Sequence, residues 1–144
     1  MPDDPFFRHV ERLTAKFRRA HGLAVERNPR VGWVELTGNP VVVRFDRGHS
    51  RAPHVHCWLI APGAAGDRRL TLEWYNFARA LGVFDVYCVA ANSDYDMSDL
   101  RYEGSPVEVA QIAIFLAACC GPLFDGEPDA TALLRRHARP AHTV

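Results

Sequence analysis

The chain has 144 residues, enough for one domain with its own core, and 48% of them are hydrophobic. Its 17 basic and 17 acidic residues cancel, so no overall field would attract nucleic acid or an anionic membrane surface. No run approaches about 18 apolar residues and residues 1–7 lack the pattern of a secretory signal, which predicts a cytoplasmic protein that does not enter a membrane.

The first predicted element is a helix that begins at the N-cap Asp4 and ends at Gly22, with Pro5 at its first position. Four apolar residues recur at helical spacing along it: Phe6, Val10, Leu13 and Phe17. The polar stretch 26–30 that follows is expected to be a connection.

The period then changes to two, which predicts a β-hairpin from strands 31–37 and 40–46. Gly38 and Asn39 tolerate the positive φ of a two-residue turn, which would place Trp33 opposite Arg44. The inner face of the hairpin would carry Val34, Leu36, Val41, Val43 and Phe45. The opposite face would carry Trp33, Glu35, Val42, Arg44 and Asp46.

A third strand is predicted over 54–61, and it alternates in the same way. Its inner residues would be Val55, Cys57 and Leu59. The other parity sends His54, His56, Trp58 and Ile60 to the same outer side as Trp33 and Arg44, provided that the strand joins the same sheet.

A second helix is predicted from a cap near Thr71 to Gly82, with Leu70, Trp74 and Phe77 on its apolar stripe. A fourth strand over 83–91 and a short fifth strand over 100–103 would follow it.

Two more helices complete the predicted order. Ser105, Pro106 and Glu108 form a capping box before a helix that ends at Gly121. A short helix capped by Asp129 would lead to a loose tail, residues 139–144. The pattern indicates a single α+β domain over 1–144, with an antiparallel sheet of four or five strands and helices mainly on one face.

Several residue groups could carry chemistry. His49, His54 and His56 lie close together, and His54 and His56 share a strand face, which could begin a metal site or a phosphoester-processing site. No third metal ligand is required by the spacing, and no catalytic motif is present, so we expect no catalytic residues, no metal and no cofactor. The four cysteines lie in apolar runs, which predicts buried reduced thiols: Cys57, Cys88, Cys119 and Cys120.

The outer side of the predicted sheet is the most informative surface. It mixes aromatic and apolar side chains with charged ones, more than a purely solvated face would, and this mixture is typical of protein contacts. The expected partner-binding residues on it are Trp33, Glu35, Arg44, His54, His56, Trp58 and Ile60. Asp94, Asp96 and Asp99 form an acidic loop that could dock a basic partner. The outer side could instead be covered by a second copy of the chain, in a homodimer, or by a C-terminal helix.

The layout also carries a resemblance. Gly22-Leu23, the hairpin around residues 36–46, and the late helix followed by residues 123–128 resemble small bacterial immunity proteins of polymorphic toxin systems. The resemblance implies stoichiometric inhibition of a cognate toxin in the cytoplasm, and it transfers no catalytic residue. The element order is also similar to that of type III secretion chaperones, which dimerise around an effector segment.

Overall fold

An antiparallel sheet of six strands forms the centre of the computed structural model, which describes residues 5–46, 55–63, 69–87 and 106–140. Each strand pairs with the next one along the chain. The strands are β1 (Ala24–Asn28), β2 (Trp33–Thr37), β3 (Val42–Asp46), β4 (His56–Pro62), β5 (Arg69–Glu73) and β6 (Arg139–Pro140). The predicted α+β class is confirmed, with more strands than the four or five expected.

Seven helices lie in the described ranges. They are α1 (Pro5–Leu13), α2 (Ala15–His21), α3 (Trp74–Ala80), α4 (Phe84–Tyr87), α5 (Pro106–Cys119), α6 (Gly121–Phe124) and α7 (Pro128–His137). The predicted first helix is interrupted at Thr14, whose buried hydroxyl donates a hydrogen bond to the Val10 carbonyl at 2.6 Å. Gly22 ends α2 in the left-handed conformation, at φ 65°.

The core lies between the inner sheet face and the helices. The predicted inner residues are confirmed, since Val34, Leu36, Val43, Phe45 and Leu59 are all completely buried. The helices contribute fully buried aromatic and aliphatic side chains: Phe6, Val10, Phe77, Ile112, Phe115, Leu116 and Leu134. One continuous hydrophobic cluster therefore joins both halves of the chain.

The hairpin register differs from the prediction by two residues, because Trp33 pairs with Asp46 and Glu35 pairs with Arg44. The connection is a four-residue loop, 38–41, since β2 ends at Thr37 and β3 begins at Val42. A two-residue turn would need an N–H at position 40, which proline lacks. Asn39 closes the longer loop, because its Oδ1 accepts a hydrogen bond from the Val41 N–H at 3.0 Å.

Three other predicted elements are wrong. Residues 26–28 of the polar stretch expected as a connection belong to β1, and residues 69–73 form β5 where the start of a helix was expected. Within the predicted strand over 83–91, Val83 lies in neither a helix nor a strand, residues 84–87 form α4, and 88–91 lie outside the described residues. The predicted strand over 100–103 also lies outside them.

The C-terminal helices agree better with the sequence. The helix predicted after Ser105 is α5, although Ser105 itself lies outside the described residues, and α6 begins at Gly121, where the predicted helix was expected to end. The last helix has Glu127 as its N-cap and Pro128 at its first position, so it begins slightly before Asp129. Arg139 and Pro140, expected in a loose tail, pair with Thr71 and Leu70 as β6.

Candidate functional site

The sheet side opposite the core carries the candidate site, and we call it the outer face. The strand register brings its members side by side. One row runs across β2 to β5, because Glu35 pairs with Arg44, Arg44 with Trp58, and Trp58 with Glu73. On β2 to β5 the outer face includes Trp33, Glu35, Val42, Arg44, Asp46, His56, Trp58, Ile60, Thr71 and Glu73. The predicted strand parity is therefore confirmed, because a register shift of two leaves every side chain on its expected side.

Arg44 is fixed at the centre of the outer face. Its Nη2 and Nε lie 2.7 Å and 2.8 Å from Glu35 Oε2. The same guanidinium stacks on Trp33, with Cζ 4.7 Å from the ring centroid. A cation and an indole are thus held side by side in one geometry before any partner arrives.

A second aromatic pair lies on β4. The rings of His56 and Trp58 are stacked, with centroids 6.3 Å apart and planes inclined by 17°. His56 is exposed and both outer tryptophans are partly exposed, so neither indole is sealed in the core. Ile60, Val42 and Glu35 are buried between their neighbours, at 3%, 7% and 8% exposure. Ile60 therefore contributes to packing on the outer face and offers a partner little surface.

Two cavities meet at Glu73, where β5 ends. The larger has a volume of about 620 Å³ and is lined by both faces of the β5 end, by α3 and by the C-terminal end of α7. The smaller has a volume of about 300 Å³, and Glu73, Tyr75 and Arg79 line both. Cavities of this size are typical of small-ligand sites.

Glu73 occupies the N-cap position of α3, where a carboxylate ordinarily accepts a backbone hydrogen bond. Here the side chain makes no capping hydrogen bond, and Oε2 is buried with no hydrogen-bond partner among the residues that the structure describes. Burial raises the pKa of Glu73 above its ordinary value of 4.5, while the nearby His56 acts in the opposite direction. A buried acceptor of this kind stands out, because buried polar atoms in folded proteins are nearly always hydrogen-bonded.

The sequence reasoning missed Glu73, Tyr75 and Arg79. Their segment was expected to be one helix, which hid the strand that brings Glu73 beside Trp58. The alternation of Leu70, Thr71 and Leu72 before Glu73 was the available signal.

Some of the expected site residues belong to segments that the structure does not describe. His49, His54, Asp94, Asp96 and Asp99 lie outside the described residues. Within residues 5–46, 55–63, 69–87 and 106–140, no group of three or more His, Cys, Asp or Glu side chains could hold a metal ion.

The prediction of buried thiols is confirmed for two of the three cysteines that the structure describes. Cys57 and Cys120 are buried free thiols, and Cys119 is half-buried. Burial raises the pKa values of Cys57 and Cys120 well above the ordinary thiol range. Thiols that stay protonated are poor nucleophiles, so these two act as small apolar core residues. Cys88 lies outside the described residues.

None of the helices in the described ranges combines the length and the apolar character that crossing a membrane requires. Comparison with protein-family models, with curated proteins and with solved structures found no match to this chain.

Proposed function

We propose that the chain is a noncatalytic protein-binding module of the immunity type, which neutralises a cognate bacterial toxin by stoichiometric binding through its outer face. The observation that supports this most is the fixed arrangement of Trp33, Arg44 and Glu35 beside Trp58. Tryptophan and arginine are the residues on which protein interfaces most often depend.

Preorganisation is the physical basis of the proposal. A free arginine side chain loses rotamer freedom when a partner fixes it, and that loss opposes binding. Arg44 has already lost this freedom in the isolated chain, because Glu35 and Trp33 hold it from two sides. A partner that covers the outer face would therefore gain the contact with a smaller entropic penalty.

The burial pattern agrees with a contact surface. Val42 and Ile60 are buried apolar side chains of the outer face. The aromatic side chains near them are accessible to a partner, since Trp33 and Trp58 are partly exposed and His56 is exposed. Interfaces commonly combine a few aromatic anchors with surrounding polar groups.

Copurification tests the proposal. The untagged toxin encoded beside this gene should elute with the tagged chain in a one-to-one complex, and the complex should block toxin activity. Arg44→Ala should lower the yield of complex, whereas Arg19→Ala, which alters an exposed arginine on α2, should leave it unchanged.

Three results would argue against the proposal. A toxin that fails to bind the wild-type chain would remove its basis. A stable homodimer that holds a disordered secretion substrate would favour the chaperone alternative. Stoichiometric zinc that is lost from a His54→Ala, His56→Ala variant would favour the metal-dependent enzyme.

A further inference from the structure

The solvent side of the first two helices carries a line of cations. Four exposed basic residues recur there at spacings of four, four and three: Arg8, Arg12, Lys16 and Arg19. The interruption at Thr14 does not break this line, because the Thr14 N–H bonds to the Val10 carbonyl and the Arg18 N–H to the Thr14 carbonyl, as in a continuous helix. The line is about 16 Å long, since a helix rises about 1.5 Å per residue.

These four cations form no ion pair within the part of the chain that the structure describes. The ion pairs found there belong to His21, Arg27 and Arg44. Glu11, the only acidic residue of α1 and α2, is held by Arg27 of β1. The line of cations therefore has an excess of positive charge, although the charges of the whole chain cancel.

A line of apolar residues lies on the solvent side of α5. This helix lacks the polar face by which a surface helix usually meets water, because Glu108 and Gln111 are its only polar residues. Its exposed residues are Ile114, Ala117 and Ala118, and Ile114 is 58% exposed. An exposed apolar line on such a helix is typical of a contact surface.

The contacts of α5 place its apolar line beside the cations. The Phe115 ring meets Phe77 and Tyr87, so one flank of α5 faces α3 and α4. The helices α1 and α2 also pack against α5, and they lie along its other flank. Phe17 of α2 contacts Phe124, just beyond the end of α5, with ring centroids 5.1 Å apart. The two lines therefore run alongside each other.

Together the two lines form one surface on the helical side of the molecule, and we call it the helical surface. It consists of Arg8, Arg12, Lys16, Arg19, Ile114, Ala117 and Ala118. The sheet separates it from the outer face, because α1, α2 and α5 pack on the opposite side of the core strands.

The composition of the helical surface selects the kind of ligand. An anionic membrane fits poorly, because helices that lie on membranes insert large apolar side chains, and Phe6 and Phe7 of α1 are buried in the core. A nucleic acid would pair its phosphates with the cations but would leave Ile114 without an apolar partner. A helix that carries carboxylates beside an apolar stripe matches both lines.

We propose that the helical surface binds an acidic amphipathic helix of a partner protein, about three turns long. Carboxylates of that helix pair with Arg12 and Lys16, and its apolar side chains cover Ile114. The side chains of Ala117 and Ala118 are small, so the backbone of the incoming helix can approach closely. This contact is additional to the toxin contact proposed for the outer face.

Fluorescence anisotropy of a labelled synthetic peptide, titrated with the purified full chain, tests the proposal. The probe has about 12 residues, with leucine on one helical face and glutamate beside it. It should bind at submillimolar concentrations of the chain, and more weakly as salt rises, because salt screens exposed charges. Replacing every glutamate of the probe by glutamine should weaken binding roughly fivefold or more.

A scrambled peptide tests whether the two faces matter. It has the same composition as the probe, but its leucine and glutamate residues no longer lie on separate faces, so it should also bind roughly fivefold more weakly. Equal binding of the probe and the scrambled peptide would overturn the proposal.

A double variant tests the line of cations. Arg12→Gln combined with Lys16→Gln should weaken probe binding roughly fivefold or more, because each exposed ion pair contributes modestly. Arg30→Gln combined with Arg136→Gln is the matched control, since it removes two exposed cations away from the helical surface. Equal effects of the two double variants would show attraction to the overall charge alone and would overturn the proposal.

The apolar line needs its own variant. Ile114→Ala should weaken probe binding roughly threefold or more, because the docked helix loses apolar contact area. Val31→Ala is the matched control, since Val31 is an exposed apolar residue in the turn before β2. Unchanged probe binding by Ile114→Ala would overturn the amphipathic helix as the ligand.

Two further titrations distinguish the other ligand classes. Vesicles of phosphatidylglycerol are tested by cosedimentation, and a labelled DNA duplex is tested by anisotropy. Binding of the vesicles or of the duplex without binding of the probe would overturn the proposal. The double variant of Arg12 and Lys16 should still form the proposed toxin complex, so the two contacts succeed or fail separately.

Discussion

The guanidinium of Arg44 lies 4.7 Å from the centre of the Trp33 ring, on the strand next to it. The same group forms an ion pair with Glu35, whose carboxylate is largely buried. Arg44 therefore stabilises the positions of two neighbouring side chains, in addition to the partner contact that we propose for it, and its replacement should change the stability of the fold.

Arg44→Met should lower the free energy of unfolding by about 1–3 kcal/mol, because it leaves the buried Glu35 carboxylate without its cation. Urea titration followed by circular dichroism measures the change. Arg44→Met combined with Glu35→Leu should recover most of the loss, since an apolar pair replaces the ion pair. A double variant no more stable than Arg44→Met would contradict this explanation.

Phe115→Ala should lower the free energy of unfolding by about 3–5 kcal/mol, because the ring is fully buried and its removal leaves a cavity. Its ring lies 5.6 Å from Trp74 and 6.3 Å from Phe77, between α5 and α3. The neighbouring Ile114 is 58% exposed, so Ile114→Ala should change stability by less than about 0.5 kcal/mol. Equal losses in urea titrations of the two variants would contradict the placement of α5.

Gly38→Ala should destabilise the hairpin loop by about 1–3 kcal/mol, because Gly38 has a φ of 111° that side chains rarely adopt. An added Cβ would also lie 3.1 Å from the Gly22 carbonyl oxygen. Gly121→Ala is the control, since nothing lies within 4 Å of its Cβ and its φ is not positive. Thermal unfolding should show a lower Tm for the first variant and no decrease for the second.

Glu73 should make the wild-type chain less stable as the pH rises. Its pKa is raised in the folded chain, so the fold binds more protons than the unfolded chain, and the stability present below pH 4.5 is lost as the pH rises through the folded value. Glu73→Gln should remove this loss, so the variant gains relative to wild type at neutral pH. Urea titrations at several pH values measure the difference.

Glu11 should change the free energy of unfolding with pH in the opposite direction to Glu73, and the same urea titrations measure it. Its hydrogen bonds with Arg27 lower its pKa, so the stability that it contributes is present above pH 4.5 and is lost as the pH falls. Glu11→Gln should therefore lower the free energy of unfolding at neutral pH and leave it unchanged in acid. Identical pH profiles for the Glu11 and Glu73 variants would contradict both assignments.

The alternating segments could be read from the sequence because burial on one side fixes their parity. Val34, Phe45 and Leu59 are fully buried, and the residues between them are more polar. The exact pairing could not be read, because a four-residue loop and a two-residue turn give the same faces. Asn39 also donates to the Phe124 carbonyl at 2.9 Å, a contact between distant parts of the chain that local patterns do not reveal.

The end of β5 was missed for a different reason. Leu70, Trp74 and Phe77 have helical spacing, although Leu70 lies in a strand and the other two lie in α3. The helical pattern therefore continued by coincidence across a junction, and Glu73 was hidden inside it. The part of the outer face on β2 to β4 was therefore predicted, whereas its part on β5 and the cavity beside it were not.

The two edges of the sheet were also beyond local reasoning. β1 is largely exposed and polar, so it lacks the alternation that marks a half-buried strand. β6 contains Pro140 and exists because Arg139 reaches Thr71, far away in the sequence. Strands of this kind are determined by their neighbours in space.

The affinity of the Trp33→Ala chain for the cognate toxin that we propose as its partner tests the central claim most directly. The wild-type chain should bind in a one-to-one complex, and the variant should lose about 2 kcal/mol or more of binding free energy, as an aromatic anchor at the centre of an interface does. Val86→Ala, which alters an exposed side chain on α4, should bind like the wild type. A folded Trp33→Ala chain that binds the toxin with wild-type affinity would contradict the role of the outer face.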